Sequence, residues 1–207
     1  MIKKIKDIIS NPSPQEDKII LLDPSGGGPQ EPDLRIVGLF ADVNEEKIAE
    51  VIQSVLFFNE MNLQSEPENQ KPVKFYISTY GGNADDMFAM FDVMRHIRES
   101  TEIHTIGLGK VMSAGVLLLA AGTKGKRKIG KNCRVMIHSV MGGNHGSLHN
   151  MMNEMEAIEQ LQDLYCDALI AETKLTRVKL KNMLERKVNV YLSAEEAVEL
   201  GIADEII

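Results

Sequence analysis

From Gly107 to His138 the chain reads GLGKVMSAGVLLLAAGTKGKRKIGKNCRVMIH, and the rest of the sequence has to fold around this stretch. Val111-Met112 leads into Ser113, and Arg134-Val135-Met136-Ile137 leads into His138. Between them lies Val116-Leu117-Leu118-Leu119-Ala120-Ala121, a run with no polar residue. A helix that is apolar all round must be buried on every side. Gly122 follows, where a helix end favours a left-handed residue. Ser113 thus falls on a sharp elbow between a strand and a buried helix, with the small residues Ala114 and Gly115 beside it. Free N–H groups and a partial positive charge at a helix start suit a developing oxyanion. His138, at the end of the second apolar segment, offers the base that a serine nucleophile needs.

The flanking sequence alternates strands and helices. Arg35–Phe40 reads as a strand, and Asp42 and Asn44 offer caps for a helix from Glu45 to Phe58. Val73–Ser78 is a second strand ending at Gly81-Gly82, followed by a helix over Asp85–Arg98 and a strand over His104–Gly109. Such alternation favours parallel pairing with right-handed crossovers, hence an α/β fold. From Ser147 to Glu172 there is neither Gly nor Pro, and Leu148, Met151, Met152, Met155, Ile158, Leu161, Tyr165, Ala168 and Leu169 trace one stripe. A helix that long reaches nearly 40 Å, more than a domain of this size needs for its own core. It suits an arm that buries its stripe on a second subunit. A helix from Lys174 to Arg186, a strand over Val188–Leu192 and a Ser193/Glu196 capping box ending at Gly201 complete the chain.

Residues 10–33 carry Pro12, Pro14, Pro29, Pro32 and the Gly26–Gly28 run, interrupted only by a short strand candidate at Ile19–Leu22. Residues 1–33 are therefore expected to be a flexible extension before a domain spanning 34–207. The net charge of −7 argues against nucleic acid or an anionic membrane as main partner. Cys133 and Cys166 make no disulfide framework and fit a reducing compartment. No apolar run approaches the roughly 18 residues of a membrane span, so a cytoplasmic location is expected. His145 and His149 are four apart, but a glycine separates them and no third ligand is evident, so no metal is expected. The Gly122–Arg127 segment is too short for a phosphate-binding P-loop, and no cofactor is expected.

Taken together, Ser113-Ala114-Gly115, Ala121-Gly122-Thr123-Lys124-Gly125-Lys126-Arg127 and Arg134-Val135-Met136-Ile137-His138 resemble the proteolytic subunit of the Clp (caseinolytic) serine protease family. The resemblance implies a ClpP/crotonase-like fold of repeated β-α-β units, with a protruding handle at about 141–173. It implies Ser113 and His138 as nucleophile and base, and the N–H groups of Gly82 and Ala114 as the oxyanion hole. The family's aspartate, eight positions before the serine of the last helix start, falls here on Glu185. The interval from His138 to that point is two residues shorter than usual, so Asp163, Asp167 and Asn189 remain alternatives. The family's ring-linking Asp-x-Arg-Asp is replaced around Lys187, Val188 and Asn189.

In partners, the resemblance implies stacked heptameric rings, pure or mixed, fed with unfolded protein by an AAA+ unfoldase. Positions of the docking pocket that are usually apolar hold Lys74, His96, Lys128 and Gly130, while Tyr76 stays aromatic. Three functions follow as expectations: a self-compartmentalising serine endopeptidase, a weakly active ring subunit with an assembly role, or a crotonase-like acyl-CoA enzyme. The Ser113–His138 pair speaks against the last.

Overall fold

A computed structural model describes residues 34–143, 145–185 and 189–207. The expected extension 1–33, with its strand candidate at Ile19–Leu22, lies outside the described residues. Strand and helix alternate as β1 (Ile36–Leu39), α1 (Glu45–Leu63), β2 (Val73–Thr79), α2 (Ala84–Ile97), β3 (Ile103–Met112), α3 (Ala114–Ala120), β4 (Lys128–Ile129) and β5 (Arg134–Ile137). There follow α4 (Leu148–Glu172), α5 (Arg177–Glu185), β6 (Val190–Leu192), α6 (Ala194–Glu199) and β7 (Glu205–Ile206). The seven strands form one sheet in the order β1-β2-β3-β4-β7. β5 branches from β3 and carries β6 on its other edge. Every pairing is parallel except β5 with β6.

The fork is made by one long strand. The first half of β3 pairs Ile106-Gly107 with β4, and its second half pairs Lys110–Met112 with Arg134–Met136 of β5. The β2–β3 register shifts between Ile77 and Thr79, near Gly109 at φ +65°. Val73, Phe75, Ile77 and Thr79 alternate inward on β2, the period-two pattern of a strand with one face on the core. All of α3 is buried, as its composition requires. Met87, Met90, Phe91, Met94 and Ile97 of α2 share its core, with α2 packed against α3, and Ile48, Val51 and Val55 of α1 extend the same core from their place against α2.

Asn44 caps α1 by accepting from the Lys47 N–H, and Asn83 caps α2 by accepting from Asp85 and Asp86. α1 runs past Phe58 to Leu63 because its last inward positions are polar and satisfied. Asn59 Oδ1 accepts from the Ser100 and Thr101 hydroxyls at 2.9 Å each. Asn62 donates to Thr101 Oγ1 at 3.0 Å and accepts from Arg35. α5 likewise starts three residues later than periodicity suggests, at Arg177 rather than Lys174. The capping box of Ser193 and Glu196 is present, and Gly201, at φ +71°, ends α6. Gly122 differs from expectation: its φ is not positive, and its need for glycine is spatial. A Cβ there would meet Thr105 Oγ1 at 2.5 Å.

The inner end of α4 is pinned by charge. Glu172, 2% exposed, lies 2.9 Å from both Arg98 Nη1 and Lys124 Nζ, and its carbonyl accepts from Arg127 Nη1 at 2.8 Å. Arg127 also clasps Asp204 beside β7, with Nε–Oδ2 at 2.9 Å. Burial would raise the Asp204 pKa, but the Arg127 hydrogen bonds outweigh it and hold the group at about 2. The outer half of α4 is bare: Leu148 (65%), Met152 (60%) and Met155 (66%) are exposed, whereas Tyr165, Ala168 and Leu169 are buried.

Candidate active site

Ser113 is where β3 gives way to α3. Its φ of 53° and ψ of −120° lie outside the regions that L residues ordinarily occupy. It is the one non-glycine residue with positive φ among the described residues. Three contacts hold it there. Its N–H donates to Met136 O at 2.8 Å, continuing the β3–β5 ladder by one residue. Its carbonyl accepts from the Val116 N–H at 3.0 Å and from the Tyr165 hydroxyl at 3.1 Å. Ser113 occupies the N-cap of α3, yet its side chain makes no capping bond. Its Oγ lies instead 2.7 Å from His138 Nε2.

The two side chains meet because their strands are neighbours in register, Met112 opposite Met136, so each reaches the same end of the sheet. His138 is half-buried, and burial pushes its pKa below the usual histidine value. The ring is therefore neutral at pH 7 and can accept the serine proton.

The β2–α2 turn closes the other side. Gly81 and Gly82 have φ of +99° and +150°. A Cβ on Gly81 would come within 2.6 Å of Ser113 Cβ and 3.1 Å of Ala114 N, so only glycine lets the turn press against the elbow. Gly82 is confined differently: a Cβ would meet Val43 O at 2.1 Å. Val43 N–H donates to Gly81 O at 2.8 Å, and Asn83 N–H donates to Val43 O at 2.9 Å. Close approach to the β1–α1 connection thus requires Gly82, before any substrate is considered. The N–H groups of Gly82 and Ala114 donate to no acceptor among the described residues.

The acid position is arranged otherwise. Glu185 is the last residue of α5, exposed, with its carboxylate 3.5 Å from Lys181 Nζ one turn earlier. Its neighbour Leu184 accepts from the Ser139 hydroxyl at 3.1 Å, which ties the end of α5 to the residue after His138. Among the described residues, Ser113 is the hydrogen-bond partner of the His138 ring. Residues 186–188, including Lys187 and Val188, lie outside the described residues. Of the alternatives, Asp163 and Asn189 are exposed and Asp167 pairs with Arg177. His149 lies in the first turn of α4, and His145 precedes its Ser147 cap, so they share no helix face.

Some site residues were not legible as such. Gln162 on α4 accepts from the Val140 N–H at 2.7 Å and fixes the chain just after His138. Tyr165, readable only as part of the apolar stripe, reaches the Ser113 carbonyl.

The family model described as Clp protease matches residues 32–207. The chain is 31% identical over 192 residues to ATP-dependent Clp protease proteolytic subunit 1 of Prochlorococcus marinus subsp. pastoris, covering 89% of this chain and 93% of the relative. It is 32% identical, with the same coverage, to the protein of that name from Prochlorococcus marinus strain MIT 9312. With a forked, mainly parallel α/β sheet, and a match spanning all but its first residues, the chain belongs to the Clp protease family as a divergent proteolytic subunit.

Proposed function

We propose that this proteolytic subunit, a serine-type endopeptidase, cuts peptide bonds with Ser113 as nucleophile and His138 as base. The 2.7 Å contact between Ser113 Oγ and His138 Nε2 carries the assignment. Oγ attacks the scissile carbonyl as Nε2 takes its proton, and the amides of Gly82 and Ala114 receive the oxyanion. The imidazolium then returns the proton to the leaving amine, and water releases the acyl group by the same route. Glu185 is the proposed third member, orienting the imidazole from the end of α5.

The peptidase domain is proposed to span 34–207, with about 141–173 as the handle and 1–33 as an extension. The exposed stripe on outer α4 supports burial against a second copy, in stacked heptameric rings that enclose the sites. No described helix is long and apolar enough to cross a membrane, and the proposed setting is the cytoplasm. Unfolded proteins are the substrates and an AAA+ unfoldase the partner. Lys74 is exposed and Lys128 pairs with Glu205 at 3.0 Å, so docking of an apolar loop is expected to be weak on a ring of this chain alone.

A second function, a ring subunit that assembles but cleaves slowly, is favoured by one observation: Glu185 faces Lys181, with no acid on the His138 ring among the described residues. Ser113→Ala separates the two. Loss of about 10⁴-fold or more in small-peptide turnover, together with loss of labelling by a fluorophosphonate, is the expected result. Equal turnover by wild type and Ser113→Ala refutes the assignment.

A further inference from the structure

The handle helix does more than carry an assembly surface. Tyr165 lies on α4, seventeen residues after its first residue, at 4% exposure. Its hydroxyl donates to the carbonyl oxygen of Ser113 at 3.1 Å. That carbonyl belongs to the same peptide unit as the Ala114 N–H, and in a planar trans peptide the two point in opposite directions. Whatever holds the oxygen therefore aims the N–H. A hydrogen bond accepted at the oxygen also draws electron density from the nitrogen and makes the N–H a stronger donor.

The other bond to that oxygen, from the Val116 N–H at 3.0 Å, belongs to the helix turn itself. Tyr165 is the restraint that comes from a distant element. Its position between Tyr165 and the Gly81 turn leaves the Ser113–Ala114 peptide little freedom to rotate, in a residue whose φ of 53° is strained. Burial pushes the Tyr165 phenol well above its usual pKa, so it remains a donor throughout the working range.

We infer that Tyr165 is a positioning residue for the reaction, orienting and polarising the Ser113–Ala114 peptide so that the Ala114 N–H meets the oxyanion. The inference rests on the assignment of Ser113 and Ala114 made above. It also joins the handle to the nucleophile: the helix whose outer half is proposed to contact a second copy has its inner half bonded to the reacting residue. A shift of α4 along its axis would rotate that peptide.

Tyr165→Phe removes the hydroxyl and keeps the ring. Loss of one direct oxyanion donor costs about 10²–10³ in turnover, so loss of its support is expected to cost about tenfold in kcat. KM for a small peptide should stay within twofold, because the effect falls on the developing anion. The affinity of a peptide boronate, whose tetrahedral adduct places an oxygen in the same site, should weaken in parallel with kcat. A ground-state peptide analogue should bind as before. A role in packing alone predicts none of this split. Tyr165→Met, a flexible filler without a hydroxyl, serves as a second variant should the Phe protein fail to assemble, and the same parallel loss is expected. A boronate affinity and kcat within threefold of wild type in either assembled variant overturns the inference while leaving the Ser113 assignment standing. A wild-type protein that the boronate does not inhibit overturns both.

Discussion

The strain at Ser113 can be weighed by two substitutions that both remove the nucleophile. Ser113→Ala and Ser113→Gly each lose the Oγ–His138 bond of 2.7 Å, so that term cancels between them. They differ in the Cβ, which is what makes φ 53°, ψ −120° unfavourable. A residue held in such a region costs about 1–3 kcal/mol, and glycine escapes most of it. Against this stands the extra backbone entropy that glycine loses on folding, about 0.5–1 kcal/mol. The glycine protein should therefore be the more stable by roughly 1 kcal/mol, the reverse of the usual order for these two residues. For a chain of this length that corresponds to roughly 2–4 °C in melting temperature. The comparison needs equal protein concentration and matched assembly, since association adds to apparent stability. Chemical denaturation of both variants, checked by light scattering, gives the difference directly. An alanine protein as stable as the glycine protein, or more so, would show that the elbow stores no strain and that the argument from its backbone angles is wrong.

Gly81→Ala combines a φ of +99° with a Cβ 2.6 Å from Ser113 Cβ, so the turn and the elbow must separate. A displacement near 1 Å costs about 10²-fold in rate; wild-type rates of peptide cleavage and fluorophosphonate labelling would contradict this. Because burial lowers the His138 pKa, the acid limb of kcat/KM should have its midpoint below the ordinary value of about 6.5. The unfolded chain takes up that proton first as pH falls, so stability declines from about 6.5 downward and is lowest once pH lies below the folded-state value; an activity midpoint at or above 6.5 would refute the first part. Glu185→Gln should cost up to about 10⁴-fold if the side chain orients His138, whereas near-full turnover would mean that the enzyme runs on Ser113 and His138 or takes its acid from elsewhere. Met155, 66% exposed, can be replaced by Glu within about 0.5 kcal/mol in the isolated fold. The same change should abolish ring assembly by light scattering, and unchanged assembly would place the subunit contact elsewhere.

What could be read from the sequence divides along physical lines. The alternation of strands and helices, the buried α3 run and the meeting of Ser113 with His138 are local-pattern properties, because parallel strands carry their ends to one edge. Element ends were less legible where polar side chains extend an element. The Asn59 and Asn62 bonds to partners forty residues away continue α1, and no apolar period announces them. Gly122 and Gly82 were recognisable as necessary, but not why: one makes room for Thr105 and the other for Val43. Tyr165 was hidden inside a hydrophobic stripe, since an amphipathic ring with a hydroxyl scores as apolar until its acceptor is known.

The register of β3 with β5 bears on how the enzyme ages under stress. Met112 opposite Met136, continued by the bond from Ser113 N–H to Met136 O, mounts nucleophile and base on one hydrogen-bonded ladder in the middle of the sheet. No separate loop has to close to bring them together, so the pair cannot fray while the sheet stays intact. Heat should then part nucleophile and base only when the sheet itself opens. The Ser113 amide should exchange its hydrogen for deuterium only on the slow clock of sheet opening, whereas the amide of Ala114, one residue further along, donates to no acceptor among the described residues and stays open for something else to hold.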